Sequence, residues 1–313
     1  MKYAIISDVH GNIDALAAVL EDAKNFNIDK YIFAGDYCAS FPEPNEVINT
    51  IRGIKNAIIV RGNEEENMRA LAKQDQSTWI DGQFQALYWL YRTLTDENHA
   101  YTNSLPKNAV YYDGDTKLMV QHKSMDLYGD IEYKEFSSHK VVKKYNNDSY
   151  QRDKILQDFQ EWVKTSNEFH AAIEPLTDGI YIFGHTHVQW HARYKNKIFI
   201  NPGSCGLPLD GTWDAPYTLL NIEDDQINIT ERRVPYDAEK LAQKLKNSDL
   251  YKAAPVWSEI ILEEMNVKFE LALTFLQFVE SYANEINDPI RPYSVKTWTD
   301  AFDLWKKKNE AKP

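Results

Sequence analysis

Five times in this chain a short apolar run stops at a polar residue or glycine and delivers a carboxylate, an amide or an imidazole. Tyr3–Ile6 ends in Ser7-Asp8, and Tyr31-Ile32-Phe33-Ala34 breaks at Gly35-Asp36. Ala57–Val60 ends at Gly62-Asn63, Leu118-Met119-Val120 leads into His122, and Ile180–Phe183 ends in Gly184-His185-Thr186-His187. Apolar runs of this length bounded by turn residues read as buried strands. Between the first of them, Ile13, Leu16, Ala17, Leu20 and Ala23 recur at helical spacing, and Pro44 opens a second helix through Val47, Ile48 and Ile51. Strand–helix–strand repetition with short links predicts a largely parallel α/β sheet. In such a sheet the chemistry gathers at the C-terminal strand ends, where these polar residues stand.

The rest of the chain is less regular. The segment from Glu64 to Ser104 has a helical pattern, followed by a strand pair, Val110–Tyr112 and Leu118–Val120, turning at Asp113-Gly114-Asp115. Lys123 to Asp148 is polar and carries no clear period, and residues 152 to 172 read as helix. Ile198–Ile200 is a further strand ending in Asn201-Pro202-Gly203-Ser204, and Tyr217–Ile222 with Ile227–Val234 alternate as an antiparallel pair. Beyond Asp237 the pattern is helical to the end, punctuated by Pro255, Pro289 and Pro292.

Composition excludes some classes. The formal charge of -12 disfavours a long nucleic acid as partner, including a nuclease on DNA ends, since an acidic surface repels polyanions. It leaves room for a small phosphorylated substrate, because bound metals supply local positive charge. Two cysteines, Cys38 and Cys205, are too few for a disulfide framework and read as small buried thiols. The N-terminus turns polar too early for a signal peptide, and no stretch reaches the roughly 20 apolar residues of a membrane span. The expectation is a cytoplasmic protein without membrane contact.

Taken singly, each delivered residue has a plain reading. Asp36 after Gly35 and Asn63 after Gly62 are turn chemistry, and a lone His122 is a surface or satisfied histidine. Taken together, in order, each at a strand end, they form a set of oxygen and nitrogen donors with no thiolate. Such a set suits Mn, Fe, Zn or Ni.

The segments Asp8-Val9-His10-Gly11-Asn12, Gly35-Asp36-Tyr37, Gly62-Asn63, His122 and Gly184-His185-Thr186-His187 resemble the ordered motifs of the calcineurin-like metallophosphoesterases. Pro44-Asn45-Glu46-Val47 and Asn201-Pro202-Gly203-Ser204-Cys205-Gly206 are similar to that family's small bacterial and archaeal branch. The resemblance covers roughly residues 1–250 and implies a four-layer α/β/β/α sandwich. Helical caps are expected over about 64–105 and 123–178, and a helical extension over 251–313. It further implies two divalent metals, manganese first among them. Asp8, His10, Asp36 and His187 would hold one; Asn63, His122 and His185 would hold the other, with Asp36 bridging. The metals would orient a phosphate and activate a water for in-line attack. Asp36, Asn63, His122 and Glu64 are then the expected catalytic residues.

Two positions depart from the family pattern. Glu64-Glu65 follows Asn63 where most relatives carry His, an imidazole suited to proton donation near neutral pH. A glutamate there would be expected to stay ionised unless burial raised its pKa. That favours phosphodiester or phosphoanhydride bonds of small nucleotide-like substrates over phosphomonoesters, including phosphoproteins. A metal-binding scaffold without catalysis is the rival. Lys123 stands where relatives usually have Gly, as a phosphate contact or as a solvated lysine. Tyr88, Trp89, Tyr91 and Trp79 read as core rather than as base-stacking groups. His99, His139, His170 and His191 read as structural. Trp257, Phe269, Phe275, Phe278, Trp298, Phe302 and Trp305 lie on amphipathic helices that either cover the core or offer a surface for a homo-oligomer.

Overall fold

In the computed structural model, which describes residues 1–136, 152–223 and 226–310, the apolar runs pair as two five-stranded sheets. The first contains β1 (Lys2–Ile6), β2 (Lys30–Phe33) and β3 (Ala57–Ile59), all parallel, with Ile5 opposite Ile32 and Ile32 opposite Ile58. Its other edge is antiparallel, where β9 (Ala215–Glu223) pairs with β1 and β10 (Gln226–Val234) closes the sheet. The second sheet has the order β4 (Asn108–Asp113), β5 (Thr116–Gln121), β6 (Gly179–Ile182), β8 (Lys197–Pro202), β7 (Gln189–Tyr194). β5, β6 and β8 are parallel, and β4 and β7 are antiparallel edges. The sheets are therefore mixed rather than largely parallel. Strand β7 was not legible beforehand, because its buried Gln189 breaks the apolar alternation of Trp190 and Ala192.

Alternation across the pleat sends each strand's side chains to both faces, and both faces are covered. Tyr3, Ile5 and Ile32 meet Leu118, Val120, Ile180, Ile182 and Ile200 between the sheets, none more than 1% exposed. Ala4, Ile6 and Phe33 face outward onto α1 (Ile13–Ala23) and α2 (Pro44–Gly53). Tyr181, Phe183 and Phe199 face outward on the second sheet, and α8 (Arg152–Thr165) and α9 (Asn167–Ile173) cover them. Each fully buried Ile or Phe contributes about 1.5–3 kcal/mol. The result is the expected α/β/β/α sandwich.

Between β3 and β4 run α3 (Asn63–Leu71), α4 (Gln85–Thr93) and α5 (Asp96–Ser104), so the helical reading holds at both ends of that segment. Its middle is mostly irregular: Gly82 at φ +137 lies against the backbone of Tyr293 and Ser294, and Trp79 stacks on Tyr88 at 4.4 Å. After β5 come the short helices α6 (Met125–Tyr128) and α7 (Ile131–Phe136). The remainder of the polar stretch to Asp148, with His139, lies outside the described residues. The helices of 152–173 cover the outer face of the second sheet instead of its strand ends.

The C-terminal part forms α10 (Ala238–Lys246), α11 (Asp249–Ala253), α12 (Pro255–Val267), α13 (Ala272–Glu285) and α14 (Val295–Glu310). Phe275, Trp298, Phe302 and Trp305 pack on one another with Ile260 and Val279. A second cluster runs through residue 250 without interruption, joining Phe41, Leu207 and Leu209 to Leu241, Leu245, Ile261 and Met265. Through it α12 is fastened beside the strand ends. No helix among the described residues is long and apolar enough to cross a membrane.

Candidate metal centre

Because β1, β2 and β3 run parallel, as do β5 and β6, the C-terminal ends of both sheets open at one edge of the sandwich. The loops that follow are tied across the gap by backbone bonds. Asp8 N donates to Gly35 O at 2.9 Å, His10 N to Asp36 O at 3.1 Å, and Gly184 N to His122 O at 3.0 Å. Asp8, His10, Asp36, His185 and His187 all have φ between 52° and 72°, a left-handed conformation uncommon outside glycine. Backbone in that region is held by its surroundings and concentrates at functional sites.

The structure brings all eight expected residues together. Their donor atoms fall into two groups, Asp8 with His10 and His187, and Asp36 with His122 and His185. His10 Nε2 and His187 Nε2 are 3.0 Å apart, and His187 Nε2 lies 3.3 Å from Asp8 Oδ1. His122 Nε2 lies 3.1 Å from Asp36 Oδ2 and 3.1 Å from Asn63 Oδ1. Asn63 and Asp36 thus stand with the second group, whereas the resemblance counted Asp36 with Asp8, His10 and His187 and had it bridge to the other ion.

Tautomers follow from the outer contacts. The carbonyl of Ala34 can only accept, so His122 Nδ1, at 2.8 Å, carries the hydrogen. The neutral ring then turns a lone pair at Nε2 toward two further acceptors, Asp36 Oδ2 and Asn63 Oδ1. His187 is set in the same way by Leu207 O at 2.8 Å. His10 Nδ1 is buried with no hydrogen-bond partner. Lone pairs converging on a point are satisfied by a cation, and this donor set fits a borderline or hard divalent ion in each group.

Without such an ion protons fill the role. Burial would lower His122, but the Asp36 and Asp8 carboxylates lift it to about 10. Burial and the neighbouring His187 push His10 down to about 4; burial and the charge on His122 push His185 down to about 3. Burial opposes ionisation of Asp36 and Asp8, yet the histidines hold both below the ordinary carboxylate range. The signs set a pH dependence. His10 and His185, depressed in the fold, cost stability as pH falls below their unfolded value of 6.5. His122, raised in the fold, loses its contribution as pH rises from 6.5 toward 10. The chelator-treated protein is therefore expected to weaken as pH rises above 6.5. Metal-loaded protein should not weaken, since binding removes the proton from His122. Thermal denaturation with Mn and with a chelator checks this: the gap in Tm should widen from pH 6.5 to 9, and a constant gap would refute it.

Around the donors lies a framework that the motifs only partly revealed. Glu65 is fully buried, and its carboxylate accepts Asp36 N, Tyr37 N and Gly62 N at 3.0, 2.9 and 2.8 Å, with the Cys38 thiol at 3.3 Å. It locks the loop after β2 to the loop after β3. The signal was present as a glutamate three residues past Gly62, a capping-box spacing at the start of α3. Gly62 permits the approach: a Cβ there would stand 2.0 Å from Asp36 Oδ1. Asp36 Oδ1 also accepts Glu64 N at 2.9 Å, so the amide end of α3 holds the central carboxylate. Asn201 ties Gly184 O to Thr186 Oγ1, and Ser204 donates to Asp8 O at 2.7 Å. Cys38 and Cys205 are both free and buried.

Glu64 differs from the expectation of a plainly ionised carboxylate. Burial, then the Asp36 and Glu65 charges, raise it to about 8 when no cation is bound. Cations between the two donor groups would reverse that field. Among the other histidines, His99 and His170 bond backbone carbonyls at 2.8 and 2.7 Å, and His191 pairs with Glu231 at 2.8 Å, so these are structural.

The wall over the donors comes largely from the C-terminal helices. A pocket of about 220 Å³ is shared by His10, Asp36, Asn63, Glu64, His185 and His187 with Trp257, Ile261, Glu264 and Leu273. A neighbouring cavity of about 190 Å³ joins Glu64 and Trp257 to Phe84, Leu87, Leu276 and Trp298. The 64–105 segment contributes Asn67, Phe84 and Leu87 to this cavity. The contribution of 251–313 was not foreseen, because its aromatic spacing signals packing and carries no direction.

With this geometry in view, comparisons with known proteins are consistent. The profile of the calcineurin-like phosphoesterase superfamily domain matches residues 1–225. An uncharacterised protein of Methanocaldococcus jannaschii is 26% identical over 269 residues, 81% of this chain and 94% of that protein. The crystal structure of a metallophosphoesterase from Sphaerobacter thermophilus superposes with a TM-score of 0.58 at 23% identity, covering 86% of this chain and 99% of that one. A hypothetical protein of Pyrococcus horikoshii gives 0.58 at 19% identity, covering 83% and 97%. The chain belongs to the calcineurin-like phosphoesterase superfamily.

Proposed function

We propose that this member is a dinuclear-metal phosphohydrolase acting on phosphodiester or phosphoanhydride bonds of small nucleotide-like substrates. The observation that carries the reading is the pair of adjoining donor groups, each with imidazole lone pairs and a carboxylate converging. Asp8, His10 and His187 would hold one ion, Asn63, His122 and His185 the other, with Asp36 between them. Manganese is the first candidate, and Fe, Zn and Ni suit the same donors. When bound, the ions supply the positive charge that orients a phosphate and lowers the pKa of a water.

The chain's own groups do the rest. Asp36 would lie between the two ions, its Oδ1 held by Glu64 N and its backbone N by the Glu65 carboxylate. Asn63 would offer its amide oxygen to the second ion, while its Nδ2 donates to Glu64 Oε1 at 3.1 Å. Glu64 replaces the imidazole that would protonate a poor leaving group. Diesters and anhydrides, whose leaving groups need less protonation, suit this site better than alkyl phosphomonoesters. Trp257, Ile261 and Leu273 form an apolar wall along one side of the pocket, with Ile261 fully buried.

With added Mn the protein is expected to hydrolyse bis(p-nitrophenyl) phosphate, and Asn63→Ala should reduce that rate by about two orders of magnitude or more. An unchanged rate in Asn63→Ala would sink the assignment. Binding of metal without turnover of any mono-, di- or anhydride phosphate would favour the scaffold reading instead.

A further inference from the structure

We propose that the polar cleft beside Asn63 and His122 is a subsite for a second phosphate, which makes the preferred substrate a phosphoanhydride. The inference rests on the hydrolase reading above and narrows it. The cleft has a volume of about 390 Å³, and Asn63 lines both it and the pocket over the donor groups. The cleft therefore opens beside that pocket, against Asn63 and His122, two of the proposed holders of the second ion.

Charge points to the occupant. Arg61, Lys107 and Lys123 face the cleft, together with Glu66 and Asp126. Glu66 is engaged by Arg61, and Asp126 by Lys107 at 3.1 Å. Among the described residues Lys123 has no carboxylate partner, and the three cations lining the cleft outnumber its two carboxylates, in a chain of net charge -12. Its backbone is fixed: Lys123 O accepts Gln121 Nε2 at 2.6 Å and Asp126 N at 3.2 Å. Lys123 is thus anchored immediately after His122, half-buried, with three donors available to phosphate oxygens. A solvated lysine would need no such cleft, and an aryl diester would leave the cleft empty. A diphosphate fills both positions.

The test measures binding as well as turnover. Methylenediphosphonate, which has no P–O–P bond to cleave, is titrated by calorimetry into Mn-loaded wild-type protein, Lys123→Ala and Lys123→Arg. Lys123→Ala is expected to bind about tenfold more weakly, the worth of one charge-assisted hydrogen bond, and Lys123→Arg to stay within about threefold of wild type. In parallel, KM for inorganic pyrophosphate should rise about tenfold in Lys123→Ala while KM for bis(p-nitrophenyl) phosphate is unchanged. An unchanged diphosphonate affinity overturns the proposal. So does an equal loss on both substrates, which would place Lys123 on the shared phosphate or in folding. If wild-type protein cleaves neither substrate, the hydrolase reading fails, and the calorimetric comparison still decides the subsite.

Discussion

Asp36→Ala is expected to reduce turnover of an aryl phosphodiester about a thousandfold and to leave the protein with less bound metal than wild type. The reason is the number of roles at one carboxylate. Oδ2 faces His122 Nε2 at 3.1 Å, and Oδ1 accepts Glu64 N at 2.9 Å. Its charge is the largest influence lifting His122 and also raises Glu64. Two dications about 3.5–4 Å apart repel strongly unless an anion lies between them, and Asp36 is the carboxylate proposed to lie there. Asp36→Asn keeps the shape and an acceptor for Glu64 N while removing the charge. Circular dichroism should show both variants folded, and emission spectrometry should show sub-stoichiometric Mn. Near-wild-type turnover by Asp36→Asn with full metal content would show that the bridging charge is not what the site depends on.

The second large effect is on stability. Glu65→Ala is expected to destabilise the fold by about 3–5 kcal/mol, because it leaves the amides of Asp36, Tyr37 and Gly62 buried without an acceptor. For a chain of this size that is about 10 °C in Tm. Burial and the Asp36 carboxylate push Glu65 upward, and the amides of Gly62 and Tyr37 oppose them, so its carboxylate is held by those donors. Glu65→Gln keeps one acceptor oxygen but turns an NH2 toward the remaining N–H groups, so part of the loss should persist. Since Glu65 touches none of the proposed ions, the drop should appear with Mn and with a chelator alike. A loss confined to metal-loaded protein would instead make Glu65 a metal ligand, and a change of under about 2 °C in both conditions would refute the locking role.

Much of the centre was legible in the chain because its motifs are local. A strand end, a glycine and a donor occupy consecutive positions, so Asp8, His10, Asp36, Asn63, His122, His185 and His187 announce themselves in order. The pairing of β1, β2 and β3 and the two flanking helices follow from apolar period alone. What depends on contacts distant in sequence was not legible. Strand β7 is buried through Gln189, whose Nε2 is satisfied by Tyr217 O and Arg232 O, partners that no local pattern names. The helices of 152–173 look like a cap by position, but Phe159 stacks on Trp190 at 4.9 Å on the outer face of the second sheet.

The sequence by itself determined the donors, their order along the chain and the departure at Glu64, since each is a matter of residue type and short spacing. Only the tertiary structure decided that Asp36 stands with His122 and His185, that Glu65 rather than Glu64 knits the loops together, and that Lys123 borders an open cleft. It alone brought Trp257, Ile261 and Leu273, far along the chain from Asp8, to the wall of the same pocket. The physical reason is that apolar spacing says a helix must bury a face but not against what. For α12 that choice fell to the apolar rim of the strand-end loops, Phe41, Leu207 and Leu209, all buried in the same cluster.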